Sequence, residues 1–218
     1  MSELLLKAGL SYLLGSIVGG LIVGRLRGGV DIRTLGSGNP GGTNALRTRG
    51  KSFAFCVLLI DIGKGWIATR VLAPWALPGI DPASPQVRVW LVAACGIAVM
   101  LGHIYPLWYG FRGGKGVATL VGTVLGIDPW LLVPTLFTWF VAVILWGFVG
   151  LASMLGVVGL VVAITAGGAE QRIPLLCFGV LTALLIAFTH RSNIARMGAG
   201  TEPRARRLWL LGLRGRRA

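Results

Sequence analysis

The sequence predicts an all-helical polytopic membrane protein of about seven transmembrane helices. It reads as a single integral membrane domain over residues 1–218, with the N-terminus outside, the C-terminus in the cytoplasm and no soluble domain. Three observations carry that prediction. Long apolar runs alternate with short polar stretches along nearly the whole chain. Hydrophobic residues make up 55% of the 218 and the mean hydropathy is +0.78, whereas soluble domains hold roughly 45–50% apolar residues. Charged residues are only 13%, yet 21 Lys and Arg face 7 Asp and Glu for a net charge of +14, so the cations are gathered in a few places.

Residues 1–24 read as a retained first span and not a cleavable signal, because Glu3 and Lys7 leave the leading segment weakly charged and no A-x-A site follows. Leu4 to Val23 has about the twenty residues a crossing helix needs, and the Gly15–Gly19 spacing suits close helix contact. The stretch near 24–51 carries Arg25, Arg27, Arg33, Arg47, Arg49 and Lys51 against Asp31, which places it in the cytoplasm. Phe53 to Leu72 is the second span. Its Asp61 and Lys64 share a face, first as a mutual structural pair and second as deep contributors to a site. Ala73 to Pro85, with four prolines and few cations, suits an outside loop. Val87 to Leu101 returns inward to a second polar stretch near 102–116, where Tyr105, Trp108, Tyr109 and Phe111 suit the headgroup level.

Val117 to Gly168 divides into a short crossing ending near Gly126, one from about Trp130 to Trp146 and one from about Leu151 to Ala166. Gly167 to Arg172 is expected outside, and Pro174 to Thr189 is the last span. A third polar stretch follows near 190–203. The tail 204–218, with Leu208, Trp209 and Leu210 among arginines, reads as a lipid-surface anchor.

Leu35 to Lys51 looks built to hold an anion. Four glycines between Gly36 and Gly42 let backbone N–H groups converge on one point, and a helix capped by Thr43 would aim its dipole at the loop. Asn44 and Arg47 would then lie on one side of that helix, with Ser37, Asn39 and Thr43 as neutral donors. Gly36, Gly38 and Gly41 also satisfy G-x-G-x-x-G, but that fingerprint belongs between a strand and a helix, and here Asp61 lies inside an apolar run. Gly113, Gly114 and Gly116 around Lys115 make a second phosphate-receptive turn. It is no Walker A loop, since Tyr109 and Gly116 occupy the first-glycine and hydroxyl positions. His190, Asn193 and Arg196, at intervals of three, would share one side of a helical extension, so three polar stretches are expected on one membrane face.

Other chemistries fall away. His103, His190, Glu202 and the apolar-run cysteines Cys56, Cys95 and Cys177 show no metal-ligand spacing. Neither histidine has an aspartate five residues on, where H-x4-D acyltransferases carry theirs; Trp108 and Ala195 stand there instead. No soluble basic module points to nucleic acid. What remains suits two phosphorylated molecules, one of them fatty, with a carrier of anionic substrates as the alternative from another class.

Five segments together resemble the bacterial acyl-phosphate:glycerol-3-phosphate acyltransferases: G-S-G-N-x-G-x-T-N-x-x-R at Gly36 to Arg47, D-x-x-K-G at Asp61 to Gly65, G-H-x-x-P at Gly102 to Pro106, G-G-K-G at Gly113 to Gly116, and H-x-x-N-x-x-R-x-x-x-G-x-E at His190 to Glu202. The resemblance implies a seven-helix inner-membrane enzyme, open to the cytoplasm, that makes lysophosphatidate and phosphate from acyl phosphate and glycerol 3-phosphate; no metal or cofactor is expected from the residues. It implies that Ser37, Arg47, Lys115, His190 and Asn193 act in catalysis and that Gly38, Asn39, Thr43, Asn44, Gly113, Gly114, Arg196 and Glu202 bind substrate. Pro40 and Gly42 depart from the aliphatic residue and alanine common in that family. The chemistry is coherent, because an acyl phosphate carries a good leaving group and needs alignment and cations more than a covalent nucleophile.

Overall fold

The computed structural model of the protein describes residues 1–167, 172–206 and 208–209. All regular structure among them is helical, and the chain forms two compact units, Met1–Asp128 and Pro129–Ala218. The division falls at an X-Pro step, where Asp128 takes the extended backbone that a following proline favours.

The first unit contains α1 (Ser2–Gly15), α2 (Gly19–Leu26), α3 (Gly42–Arg49), α4 (Lys51–Trp66) prolonged by a π-helical segment Ile67–Leu72, α5 (Pro85–Arg88), α6 (Leu91–Ile104) and α7 (Val117–Ile127). The second contains α8 (Leu132–Trp146), α9 (Val149–Ala166), α10 (Arg172–Thr189) and α11 (Arg191–Gly198). Pro134 and Pro174 sit in the first turns of α8 and α10, where a missing N–H costs no helix bond.

Each expected span has a helix at its place. Lys51–Leu72, Pro85–Tyr109, Pro129–Trp146 and Val149–Ala166 are long and apolar enough to cross a membrane, and two bent pairs, α1 with α2 and Ile173–Thr189 with α11, reach that length together. α7 differs, with 11 residues. At about 1.5 Å per residue that helix falls well short of the roughly 30 Å hydrocarbon core. Phe55, Leu59, Trp130, Phe137 and Leu184 are largely exposed, as side chains solvated by lipid would be. Residues 168–171, most of the expected outside loop, and residues 207 and 210–218 of the basic tail lie outside the described residues.

The first span is broken, not straight. α1 and α2 meet at 42° across Ser16–Val18. Lys64 Nζ donates to the carbonyls of Gly15 and Ile17 at 2.9 and 2.7 Å, and the Gly19 N–H that opens α2 donates to Asp61 Oδ1 at 3.1 Å. A cation thus meets the carbonyl end of one helix and an anion the N–H end of the next, as the orphan groups and dipoles require. Asp61 and Lys64, 3.0 Å apart and almost fully enclosed, are therefore the internal pair expected from sequence and also the caps of the break. Gly15 packs on the backbone of α6 whereas Gly19 faces Val57 and Asp61 of α4, so their four-residue spacing serves two neighbours. At the other end of α1, a buried Glu3–Lys7 pair takes the Ala83 N–H and the Ala73 carbonyl, tying the 73–83 connection down.

Candidate active site

The first glycine loop is shaped from within by Asn44. Its Oδ1 accepts from Ser37 N at 3.0 Å, and its Nδ2 donates to the carbonyls of Leu35 and Ile32 at 3.0 and 3.3 Å. Those contacts fold the chain through Gly36 and Gly38, which take φ of 56° and 72°, values that suit residues lacking Cβ. The result corrects two expectations. Asn44 is buried with its amide turned into the loop, so it does not share an outward face with the exposed Arg47. The cap of α3 is Gly41, not Thr43, because the backbone turns into the helix two residues early, directly after the buried Pro40. Ser37, Gly38 and Thr43 remain exposed around the N-terminus of α3, Asn39 is half-buried there, and Arg47 makes no internal hydrogen bond or ion pair among the described residues.

The second loop is anchored on α6. Gly113 N donates to Ile104 O and Gly114 N to His103 O, both at 3.0 Å. These N–H groups satisfy carbonyls orphaned at the end of α6. Gly113 and Gly114 therefore do not offer the phosphate-receptive N–H pair that their spacing suggested; they hold the loop in place for Lys115. Lys115 is half-buried just before Gly116, whose left-handed backbone caps α7.

Arg33, which sequence reasoning counted only as a topology signal, joins the two loops. Its Nε and Nη2 grip Asp31 at 2.8–3.1 Å, and its Nη1 donates to the carbonyls of Tyr109 and Arg112 at 3.2 and 3.0 Å. The guanidinium holds the Asp31 carboxyl below the usual carboxylate range, and the carboxylate raises Arg33 in turn. A D-x-R at the head of the loop is its only sequence trace.

The third polar stretch forms a cluster of its own in the second unit. Glu202, nearly buried, accepts from Asn193 Nδ2 through Oε1 and from Arg196 Nε through Oε2, each at 2.6 Å. Asn193 and Arg196 do share a helix side, as their spacing predicts. Glu202 is thus engaged with its own chain in orienting them. His190, also buried, stands at the head of α11 with Nδ1 2.8 Å from the Ile186 carbonyl. A carbonyl only accepts, so Nδ1 carries the proton and the basic lone pair of a neutral ring lies on Nε2. Beyond it the tail folds back: Ala205 N donates to Gly147 O at 2.8 Å, and the Arg204 guanidinium lies over Trp209 and Phe148 at 3.9 and 4.8 Å. The described start of the expected lipid anchor therefore packs on the turn between α8 and α9. No group of three or more His, Cys, Asp or Glu able to hold a metal occurs among the described residues.

Comparison with known proteins bears on the same segments. The sequence profile described as glycerol-3-phosphate acyltransferase matches residues 5–200. A protein of that name from Synechococcus sp. (strain CC9902) is 40% identical over 94% of this chain and 96% of its own. One from Bordetella pertussis is 42% identical over 89% and 88%. The crystal structure of PlsY (YgiH), an integral membrane glycerol 3-phosphate acyltransferase, in its glycerol 3-phosphate form superposes with a TM-score of 0.80 at 32% identity, covering 92% of this chain and 94% of that one. Its lysophosphatidic acid form gives 0.78. With both glycine loops, His190, Asn193 and Arg196 inside the matched residues 5–200, the chain belongs to the glycerol-3-phosphate acyltransferase family.

Proposed function

We propose that this protein transfers a fatty acyl group from acyl phosphate to the 1-hydroxyl of glycerol 3-phosphate, giving 1-acyl-glycerol 3-phosphate and inorganic phosphate, at the cytoplasmic side of a bacterial inner membrane. The observation that carries the reading is the exposed Arg47 on the short helix α3, whose N-terminus follows the exposed Ser37 and the half-buried Asn39, a cation with hydroxyl, amide and first-turn N–H donors suited to phosphate oxygens. In this reading Ser37, Asn39 and Thr43 receive phosphate oxygens, Asn44 shapes their loop together with Gly38, whose N–H is bonded to the Leu35 carbonyl at 3.0 Å, and Arg47 and Lys115 neutralise the anionic substrates. Gly113 and Gly114 set the place of Lys115. Asn193, oriented by Glu202 together with Arg196, and His190 position glycerol phosphate.

The hydroxyl oxygen attacks the acyl carbonyl carbon, the bond from that carbon to the phosphate oxygen breaks, and phosphate leaves with the electron pair. The hydroxyl proton passes to His190 Nε2 or to an oxygen of the departing phosphate. No enzyme nucleophile is required. Cations near both phosphates lower the barrier by stabilising charge that grows on the leaving group and the carbonyl oxygen.

The test is label transfer from glycerol 3-phosphate into lysophosphatidate by the detergent-purified protein, with acyl phosphate, acyl-coenzyme A and acyl carrier protein compared as donors. Product with stoichiometric phosphate release from acyl phosphate alone is expected. Product from another donor alone would overturn the donor assignment, and no product from any donor by folded protein would overturn the acyl-transfer reading in favour of anion transport.

A further inference from the structure

Three ionisable side chains lie enclosed in the first unit beneath both glycine loops and have no part in the chemistry above. Asp61 is fully buried, and Lys64 and His103 are 3% and 2% exposed. His103 Nδ1 is 2.8 Å from Lys64 Nζ and 3.3 Å from Asp61 Oδ1, which also lies 3.0 Å from the ammonium. Burying such groups is costly unless each is partnered, so a packed apolar trio would make a simpler core. Their contacts give a reason for them.

On one side, Asp61 holds the Gly19 N–H and Lys64 holds the Gly15 and Ile17 carbonyls, fixing the bend at which α2 begins. The next residue, Gly20, seats the first loop: a methyl group there would fall on the Pro40 carbonyl. On the other side, the imidazole edge lies against Gly114, where a methyl group would strike His103 Nε2, and the His103 carbonyl holds the Gly114 N–H. One network therefore touches the supports of both loops.

We propose that Asp61, Lys64 and His103 are positioning residues that set the separation of the Ser37–Asn39 loop from Lys115, and so the span over which this site accepts an anionic substrate. The inference rests on the reading above, in which those loops hold phosphate groups. None of the three touches substrate. Their effect passes through Gly20 to Pro40 and through Gly114 to Lys115.

Two variants test it in the full-length purified protein. His103→Asn keeps an acceptor near Nδ1 for Lys64 but withdraws the ring edge from Gly114, and His103→Leu removes both. Hydrogen–deuterium exchange is read at 36–44 and 110–116, alongside kcat and KM for each substrate, with activity normalised to folded protein. The expected result is exchange at 110–116 at least tenfold faster in His103→Asn, with α1, α4 and α6 unchanged. A rise in KM for glycerol 3-phosphate or acyl phosphate that exceeds the change in kcat should accompany it, and a larger effect is expected in His103→Leu. A network that merely supports the bundle would instead speed exchange throughout α1, α4 and α6 and lower activity only in proportion to unfolded protein, and either that pattern or unchanged loop exchange overturns the proposal. If His103→Leu fails to fold, the exchange of His103→Asn decides alone. Exchange needs no substrate, so a wild-type protein inactive with acyl phosphate would defeat the reaction assigned above and leave this test standing.

Discussion

Arg47 stands on the exposed side of α3 one turn beyond Thr43, with no internal partner among the described residues, whereas Arg33, Arg196 and Arg204 are engaged by Asp31, Glu202 and an aromatic pair. A guanidinium that stabilises nothing within its own chain can be removed at little cost to folding, about 0.5 kcal/mol or less for such surface positions. If it binds the charge that grows during transfer, its loss should be felt in the rate. Arg47→Ala is expected to lower kcat/KM roughly 10²- to 10³-fold, the usual cost of losing one such contact, with the melting temperature unmoved. Near-normal kcat/KM in a steady-state assay would remove Arg47 from the site. Its exposure agrees with the pattern of residue types, since Thr-Asn-x-x-Arg after a glycine run marks a helix start. The inward turn of Asn44 was not legible, because it depends on which loop carbonyls lack a donor once the chain has folded. For the same reason the Gly113 and Gly114 N–H groups looked like ligand donors in sequence and prove to be bonded to α6.

At the scale of elements, spacing within a helix was legible and partnership between helices was not. Asp61 and Lys64 at i, i+3 announce a pair, but nothing local says that His103, 39 residues beyond Lys64, completes it, nor that the first apolar run breaks so that its ends meet both charges. The Arg33 bridge from the 3₁₀ turn Ile32–Thr34 to the Leu107–Tyr109 turn is a similar long-range tie. It has a pH signature. The Asp31 carboxyl is depressed in the folded protein, chiefly by its hydrogen bond to Arg33, so the stabilisation it gives is present above its unfolded pKa of about 4 and is lost as pH falls through the lower folded value. The pair is partly solvated, which limits the effect to about 1 kcal/mol or less. Asp31→Asn is therefore expected to melt slightly below wild type by a constant margin from pH 8 to about pH 5, with the two converging only in stronger acid. A margin that instead grew with acidity would show that the charge pair is not its source.

For the whole molecule, the apolar runs made the helical class legible, while the number of crossings turns on one short element. α7 has 11 residues, and whether it carries the chain across with its flanking turns decides the parity of everything after it. Charge argues that it does, because Arg191, Arg196, Arg204 and Arg206 follow the last span as Arg25, Arg27 and Arg33 follow the first, and such cations stay on the cytoplasmic side. Single cysteines at Thr34, Ser84 and Thr201, all exposed, in a chain whose own three cysteines are replaced, separate the cases. With seven crossings, an impermeant thiol reagent added to intact cells should label Ser84→Cys alone, and Thr34→Cys and Thr201→Cys only after permeabilisation. If α7 turns back without crossing, Thr34→Cys and Ser84→Cys keep that pattern while Thr201→Cys is labelled from outside. That result would put the His190–Glu202 cluster on the opposite side from a cytoplasmic pool of glycerol 3-phosphate. The roles proposed for His190 and Asn193 would then fall, whatever the family membership of the chain.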